Sequence, residues 1–115
     1  HALARFNQLG DLYDLTQCLN SIGLIYQRNG ENYKAQGSCG RAIMMCELNH
    51  LDTKHTAIMV YNLGLLHWQH GNKKKACDAF SQSLNIVLNV DPGSPLVNDI
   101  QHYLAIKPGP VLFST

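Results

Sequence analysis

No stretch of this sequence is apolar for long enough to cross a bilayer: no run approaches the roughly 18 residues that a spanning helix needs. Insertion into a membrane is therefore not expected. An excess of one charge is missing too. Nine Lys and Arg oppose eight Asp and Glu, for a formal net charge of +1. That balance gives no argument for a nucleic-acid partner or an anionic membrane surface. Charged residues make up only 15% of the chain, low for a freely exposed surface, while the 45% hydrophobic content suits a folded protein. The N-terminus shows no signal-peptide pattern. A chain that opens on His1 is expected to be a piece of a longer one, so a targeting segment need not be visible.

Reactive constellations are also scarce. The four cysteines, Cys18, Cys39, Cys46 and Cys77, lie inside helical patterns and not in a loop-rich framework. They read as free thiols in a reducing, intracellular and cytoplasmic compartment. No Ser/His/Asp set or paired carboxylate stands out. The stretch "GSCG" (residues 37–40) lacks the lysine and the strand context of a phosphate loop. Lys73, Lys74 and Lys75 form the only basic run and read as a solvated face. Cys46, His50 and His55 have Cys-x3-His-x4-His spacing, and the Cys46/His50 pair could share a helix face and grip zinc. No fourth ligand is evident, and a buried thiol near two connector histidines is the plainer reading. Neither an enzyme nor a cofactor is expected.

What the chain does contain is one sentence written twice. "SIGLIYQRNGENYKAQGSCGRA" (residues 21–42) returns as "NLGLLHWQHGNKKKACDAFSQS" (residues 62–83). At an offset of 41 residues, five pairs are identical: Gly23/Gly64, Leu24/Leu65, Gly30/Gly71, Lys34/Lys75 and Ala35/Ala76. Ile22/Leu63, Tyr26/His67, Cys39/Phe80, Ala42/Ser83 and Ile43/Leu84 mostly keep their character. Self-similarity at a fixed period of 20–50 residues marks a solenoid array.

Each copy reads as a helix hairpin. Leu15, Leu19, Ile22 and Tyr26 follow helical spacing, as do Val60, Leu63 and His67. Gly30 and Gly71 are the stops, because glycine enters the left-handed conformation that ends a helix. Second helices are expected over about residues 31–49 and 72–90. A turn this short forces the two helices antiparallel. Gly23, Ala35 and Ala42, then Gly64, Ala76 and Ser83, are small where backbones must approach. A glycine inside a helix costs roughly 1 kcal/mol against alanine, so its repetition points to packing.

The pattern resembles the tetratricopeptide repeat, whose unit reads large-x2-Leu-Gly-x2-Tyr, then Ala-x3-Phe and a further small residue. The first copy carries Leu19, Ile22, Gly23, Tyr26, Ala35, Cys39 and Ala42 in those places. The second carries Val60, Leu63, Gly64, His67, Ala76, Phe80 and Ser83. The period exceeds the usual ~34 residues and is similar to the longer repeats of kinesin light chain. The resemblance implies an all-α fold: a right-handed α-solenoid of antiparallel helix hairpins, two full repeats flanked by two half repeats. Residues 1–9 would be the end of a preceding second helix, with "QLGD" (8–11) as its connector. Residues 12–49 and 53–90 would be the full repeats, "VDPGSP" (90–95) a connector, 96–107 the first helix of a third unit and 108–115 an irregular tail.

The resemblance also implies a function. The first helix of each unit would line a concave face that binds a peptide or protein. Its slots map onto Gln17, Asn20, Leu24, Gln27 and Arg28, then Ile58, Tyr61, Asn62, Leu65, Trp68 and Gln69, with Asp99, His102 and Ile106 continuing the row. Gly23, Ala35, Ala42, Gly64, Ala76 and Phe80 would pack the repeats. Tyr61 and Trp68 either supply rigid contact area for a partner or pack against a neighbouring repeat; Leu24 and Leu65 are expected to be partly core. Cochaperones of the family clamp a C-terminal carboxylate with Lys, Arg and Asn. Here those slots hold Asn20, Leu24, Tyr61 and Asp99, and only Asn62 fits, so no such clamp is expected. The expected role is a non-catalytic scaffold or adaptor for an unidentified protein or peptide. The alternative is a structural subunit of a large assembly, held by its ends and convex surface against neighbouring subunits.

Overall fold

The structure is a computed structural model that describes the backbone of residues 2–105 and the side chains of residues 10–105. Every element among these is a helix: α1 (Ala2–Arg28), α2 (Asn32–Leu48), α3 (Thr53–Gln69), α4 (Lys73–Val90) and α5 (Pro95–Ala105). The tail 108–115 and Ile106 lie outside the described residues.

One expected boundary is absent. α1 runs unbroken through Leu9, Gly10 and Asp11, where the sequence suggested a connector between two helices. Gly10 is not among the glycines with positive φ, and no proline lies nearby. A glycine that keeps a helical conformation weakens a helix without ending it.

The other stops form as the sequence requires. Gly30 and Gly71 sit at φ 78° and 80°. At the first, Glu31 N–H donates to the Tyr26 carbonyl at 2.9 Å and Gly30 N–H to that of Gln27 at 3.0 Å. At the second, Asn72 N–H reaches His67 at 2.9 Å and Gly71 N–H reaches Trp68 at 3.1 Å. This six-to-one plus five-to-two pattern satisfies carbonyls that a helix end leaves free. α2 ends the same way with a side chain in the left-handed slot. His50 has φ 51°, and Leu51 N–H donates to the Cys46 carbonyl at 3.0 Å. The starts are capped by Asp52, whose Oδ1 accepts from Lys54 N–H at 3.0 Å, and by Asn72, whose Oδ1 accepts from Lys75 N–H at 3.3 Å. α5 begins with Pro95, a residue suited to the first helical position, after Ser94.

α1 pairs with α2 and α3 with α4 as two hairpins; α2 then packs on α3, α4 on α5, and α1 touches α3. Gly23 and Gly64 occupy matching places. A Cβ at Gly23 would lie 2.7 Å from Cys39 Sγ, and one at Gly64 would lie 2.6 Å from the Phe80 ring. Cys39 and Phe80 are themselves a repeat pair. Around them Ala35, Ala42 and Ala76 are fully buried, so the helices of each hairpin close on small side chains. The extents are 59 × 35 × 19 Å with a Cα radius of gyration of 15.5 Å. A compact domain of this length would have about 13 Å. The thinnest dimension matches two helix diameters of about 10 Å.

Candidate binding surface

α1, α3 and α5 carry the residues that the resemblance assigns to a partner. On α1, Gln17 and Arg28 are exposed, Leu24 is 45% exposed, and Asn20 and Gln27 are half-buried. Leu24 is therefore not core, contrary to expectation: α3 reaches α1 near its C-terminal end but leaves this position open. On α3, Ile58 is 39% exposed, Gln69 is exposed, and Tyr61, Asn62, Leu65 and Trp68 are half-buried. On α5, Asp99 and His102 are exposed. Gln27 Nε2 donates to Gln69 Oε1, which joins the C-terminal ends of α1 and α3 through two predicted contact residues.

The aromatic residues are drawn inward. Tyr61, Leu65 and Trp68 pack against the buried cluster of Ala57, Ala76, Phe80, Val87, Val97 and Ile100. Tyr103 of α5 completes the arrangement. Its ring stacks on Phe80 at 4.9 Å and meets Trp68 edge-on at 5.2 Å, and Tyr61 lies 5.7 Å from Phe80. Lys73 Nζ sits 3.5 Å over the Trp68 indole, at cation–π distance. Both rings thus pack within the fold and remain half-buried. Tyr103 was missed because its counterparts at the 41-residue offset, Asn62 and Ser21, share no character with it.

A polar latch between α1 and the start of α3 was also missed. Tyr13 Oη accepts from Asp52 N–H at 2.7 Å, and the Tyr13 ring meets His55 edge-on at 4.9 Å. Thr16 Oγ1 donates to the Tyr13 carbonyl at 2.8 Å and lies 2.8 Å from His55 Nε2. A hydroxyl that donates to the Tyr13 carbonyl can accept from a protonated His55 Nε2. Burial holds His55 below the usual imidazole value, partly opposed by Asp52. No periodic signal marks these residues, since their counterparts at the 41-residue offset, Lys54, Ala57, Gly93 and Leu96, differ from them in kind.

Two of the four thiols, Cys39 and Cys46, are buried, while Cys18 is exposed. Burial pushes the Cys39 thiol up to about 11, which leaves it a small hydrophobe. Burial raises Cys46 as well, and its hydrogen bonds to Thr56 and Thr16 oppose this. Cys46 and His50 line one open depression with Glu47 and Thr53, but His55 points to Thr16 instead. Among the described residues no three His, Cys, Asp or Glu side chains converge as metal ligands. "GSCG" lies within α2, where its amides are engaged in the helix. His67 is buried in the tyrosine slot, and its Nδ1 has no partner among the described residues. No helix among the described residues is long and apolar enough to cross a membrane. Among known proteins, no family model matches this chain, and neither a curated protein nor a solved structure shows a significant match.

Proposed function

We propose that this chain is a tetratricopeptide-like, right-handed α-solenoid segment acting as a non-catalytic protein-interaction module, an adaptor or scaffold. Its partner would lie along the row formed by α1, α3 and α5. The observation that carries this is the recurrence of one hairpin, down to matched glycine contacts at Cys39 and Phe80. Recurrence sets like helices in a row, and that row offers exposed Gln17, Ile58, Gln69 and His102 with half-buried Asn62. Amide side chains both donate to and accept from a peptide backbone.

The test is capture on the immobilised full chain, with the bound protein identified and then titrated as a purified component. Replacing Gln17, Ile58, Gln69 and His102 with alanine should weaken that affinity at least tenfold. Unchanged affinity would defeat the reading. These positions are preferable to Tyr61 and Trp68, whose loss would also damage the aromatic cluster.

A second reading has its own support. Leu15, Ile22, Leu24, Ile25, Tyr33, Met44 and Leu48, all in the first hairpin, are large apolar residues left exposed. That concentration favours a subunit of an assembly, held by this end against a neighbour.

A further inference from the structure

Successive helices alternate in direction, so their joints fall on two opposite edges of the molecule. Gln27 and Gln69 meet, which sets the α1–α2 turn beside the α3–α4 turn. At the other edge Tyr13 Oη accepts from Asp52 N–H at 2.7 Å, and Lys54 Nζ lies 2.8 Å from Asp91 Oδ2. These contacts bring the α2–α3 and α4–α5 connections together with the Tyr13 region of α1. Helices of 17 and 18 residues, about 25 Å long, separate the two edges.

The near-neutral net charge conceals a separation along this direction. Among the described residues, Arg28, Lys34, Lys73, Lys74 and Lys75 stand at the turn edge, against Glu31 alone. Asp11, Asp14, Glu47, Asp52, Asp91 and Asp99 stand at the connector edge, against Lys54 alone. Arg41 and Asp78 lie between. Helix stability does not account for the pattern. A helix favours acidic side chains in its first turn and basic ones in its last. α2 and α4 carry the reverse: Lys34 and Lys73 to Lys75 in their first turns, Glu47 in the last turn of α2 and Asp91 at the C-cap of α4. Charge follows the edge and not the helix direction. Nor are the turn-edge cations neutralised within the fold. Among the described residues only Lys34 has an ion pair there, an exposed 3.3 Å contact with Glu31, while Lys74 and Lys75 are exposed.

The chemistry of the edge favours carboxylates over nucleic acid. Surfaces for single-stranded nucleic acid join cations to open rings on which bases stack. The rings at this edge already carry cations of the chain itself: Lys73 Nζ lies 3.5 Å over Trp68 and Lys34 Nζ 5.7 Å over Tyr26. Carboxylates need only the ammonium and guanidinium donors.

We propose that the turn edge of Arg28, Lys34, Lys73, Lys74 and Lys75 docks an acidic segment of a partner protein, held through Asp and Glu side chains and not through a chain terminus. This goes beyond the row along α1, α3 and α5, since four of these five cations belong to α2 and α4.

The probe is hexaglutamate with fluorescein on its N-terminus and an amide at its C-terminus, titrated with the full chain by fluorescence anisotropy. Saturable binding is expected, weakening as salt screens the exposed charges. Lys74→Glu with Lys75→Glu should weaken it at least tenfold. Both side chains are exposed, and glutamate suits the first turn of a helix, so the unfolding midpoint should not fall. Arg41→Glu, at an exposed position in the middle of α2, controls for overall charge and should weaken binding far less. The proposal is overturned by absent binding at low salt, by binding that the double reversal leaves unchanged, or by a loss as large with Arg41→Glu. It is equally overturned if an oligothymidylate of the same charge binds more tightly than hexaglutamate, since the edge then reads phosphates.

Discussion

A methyl group at Gly64 would have to share space with the Phe80 ring, and the ring has nowhere to go. Tyr61, Trp68 and Tyr103 hold it on three sides. Alanine normally improves a helix interior by about 1 kcal/mol over glycine. Here the overpacking of about 1–3 kcal/mol should win, so Gly64→Ala lowers stability in urea unfolding. Gly23→Ala should lose less, because the thiol at 2.7 Å can rotate, but it still loses, because the Ala35 carbonyl at 3.2 Å is backbone. Gly40→Ala is the control. It has nothing within 4 Å of the added carbon and should gain roughly 0.5–1 kcal/mol. A gain at all three positions would refute the packing account. His67 gives a second prediction at this scale. Burial, then the charges of Lys75 and His70, hold it below the usual imidazole value. The unfolded side chain takes its proton near pH ~6.5, and the folded one only at lower pH. The fold therefore keeps this contribution in full above that value and loses it as pH falls through the window beneath. His67→Tyr, which copies Tyr26 of the first unit, should flatten the dependence of unfolding on pH between about 7 and 5. It should not abolish it, since His55 is lowered by burial too.

Among the helices, the ends differ more than the middles. Two hairpin turns place glycine in the left-handed slot, whereas the connection from α2 to α3 places His50 there. A side chain in that region costs roughly 1–2 kcal/mol, and glycine returns some of this through its freer unfolded state. His50→Gly should therefore raise stability by about 0.5–1 kcal/mol, read as a higher urea midpoint at unchanged slope. A fall would mean that the imidazole makes a contact that outweighs the strain. α1 teaches the converse. Its Gly10 does not stop the helix, because a stop needs a chain that turns onto a partner helix as well as a permissive residue.

For the whole molecule, Phe80 is where three helices meet. It is fully buried in α4 and packs on rings from α3 and α5. Phe80→Ala should cost about 3–5 kcal/mol, a large share of the ~5–15 kcal/mol that holds an ordinary domain. Packing runs mainly between successive helices, so the loss should stay local. Amide hydrogen exchange should show α3, α4 and α5 deprotected ahead of α1 and α2. Uniform deprotection would show a single cooperative unit instead. A free acidic C-terminal peptide should show no affinity that disappears on amidation of its carboxylate, since the clamp slots hold Asn20, Leu24, Tyr61 and Asp99.

The helices and their pairing were legible in the sequence because they depend on local rules: apolar spacing, left-handed glycines, and small residues repeated at one offset. Those rules marked Gly23, Ala35 and Ala42, then Gly64, Ala76 and Ser83, as positions of close approach; that Gly23 faces Cys39 and Gly64 faces Phe80 came from the structure. Exposure was not legible. Leu24 and Leu65 are the same residue in the same slot, yet Leu24 stands open while Leu65 packs against the core beside α5. Tyr61 and Trp68 had two readings because a ring's surroundings include the next helix, and Tyr103 carried no repeat signal. The Tyr13–Asp52 and Thr16–His55 contacts were hidden for a like reason, joining positions that repetition does not relate. A periodic sequence thus determines each hairpin, since its contacts lie within one turn of chain; only the tertiary structure decides which equivalent faces are covered, because a neighbour's presence is not a property of the face.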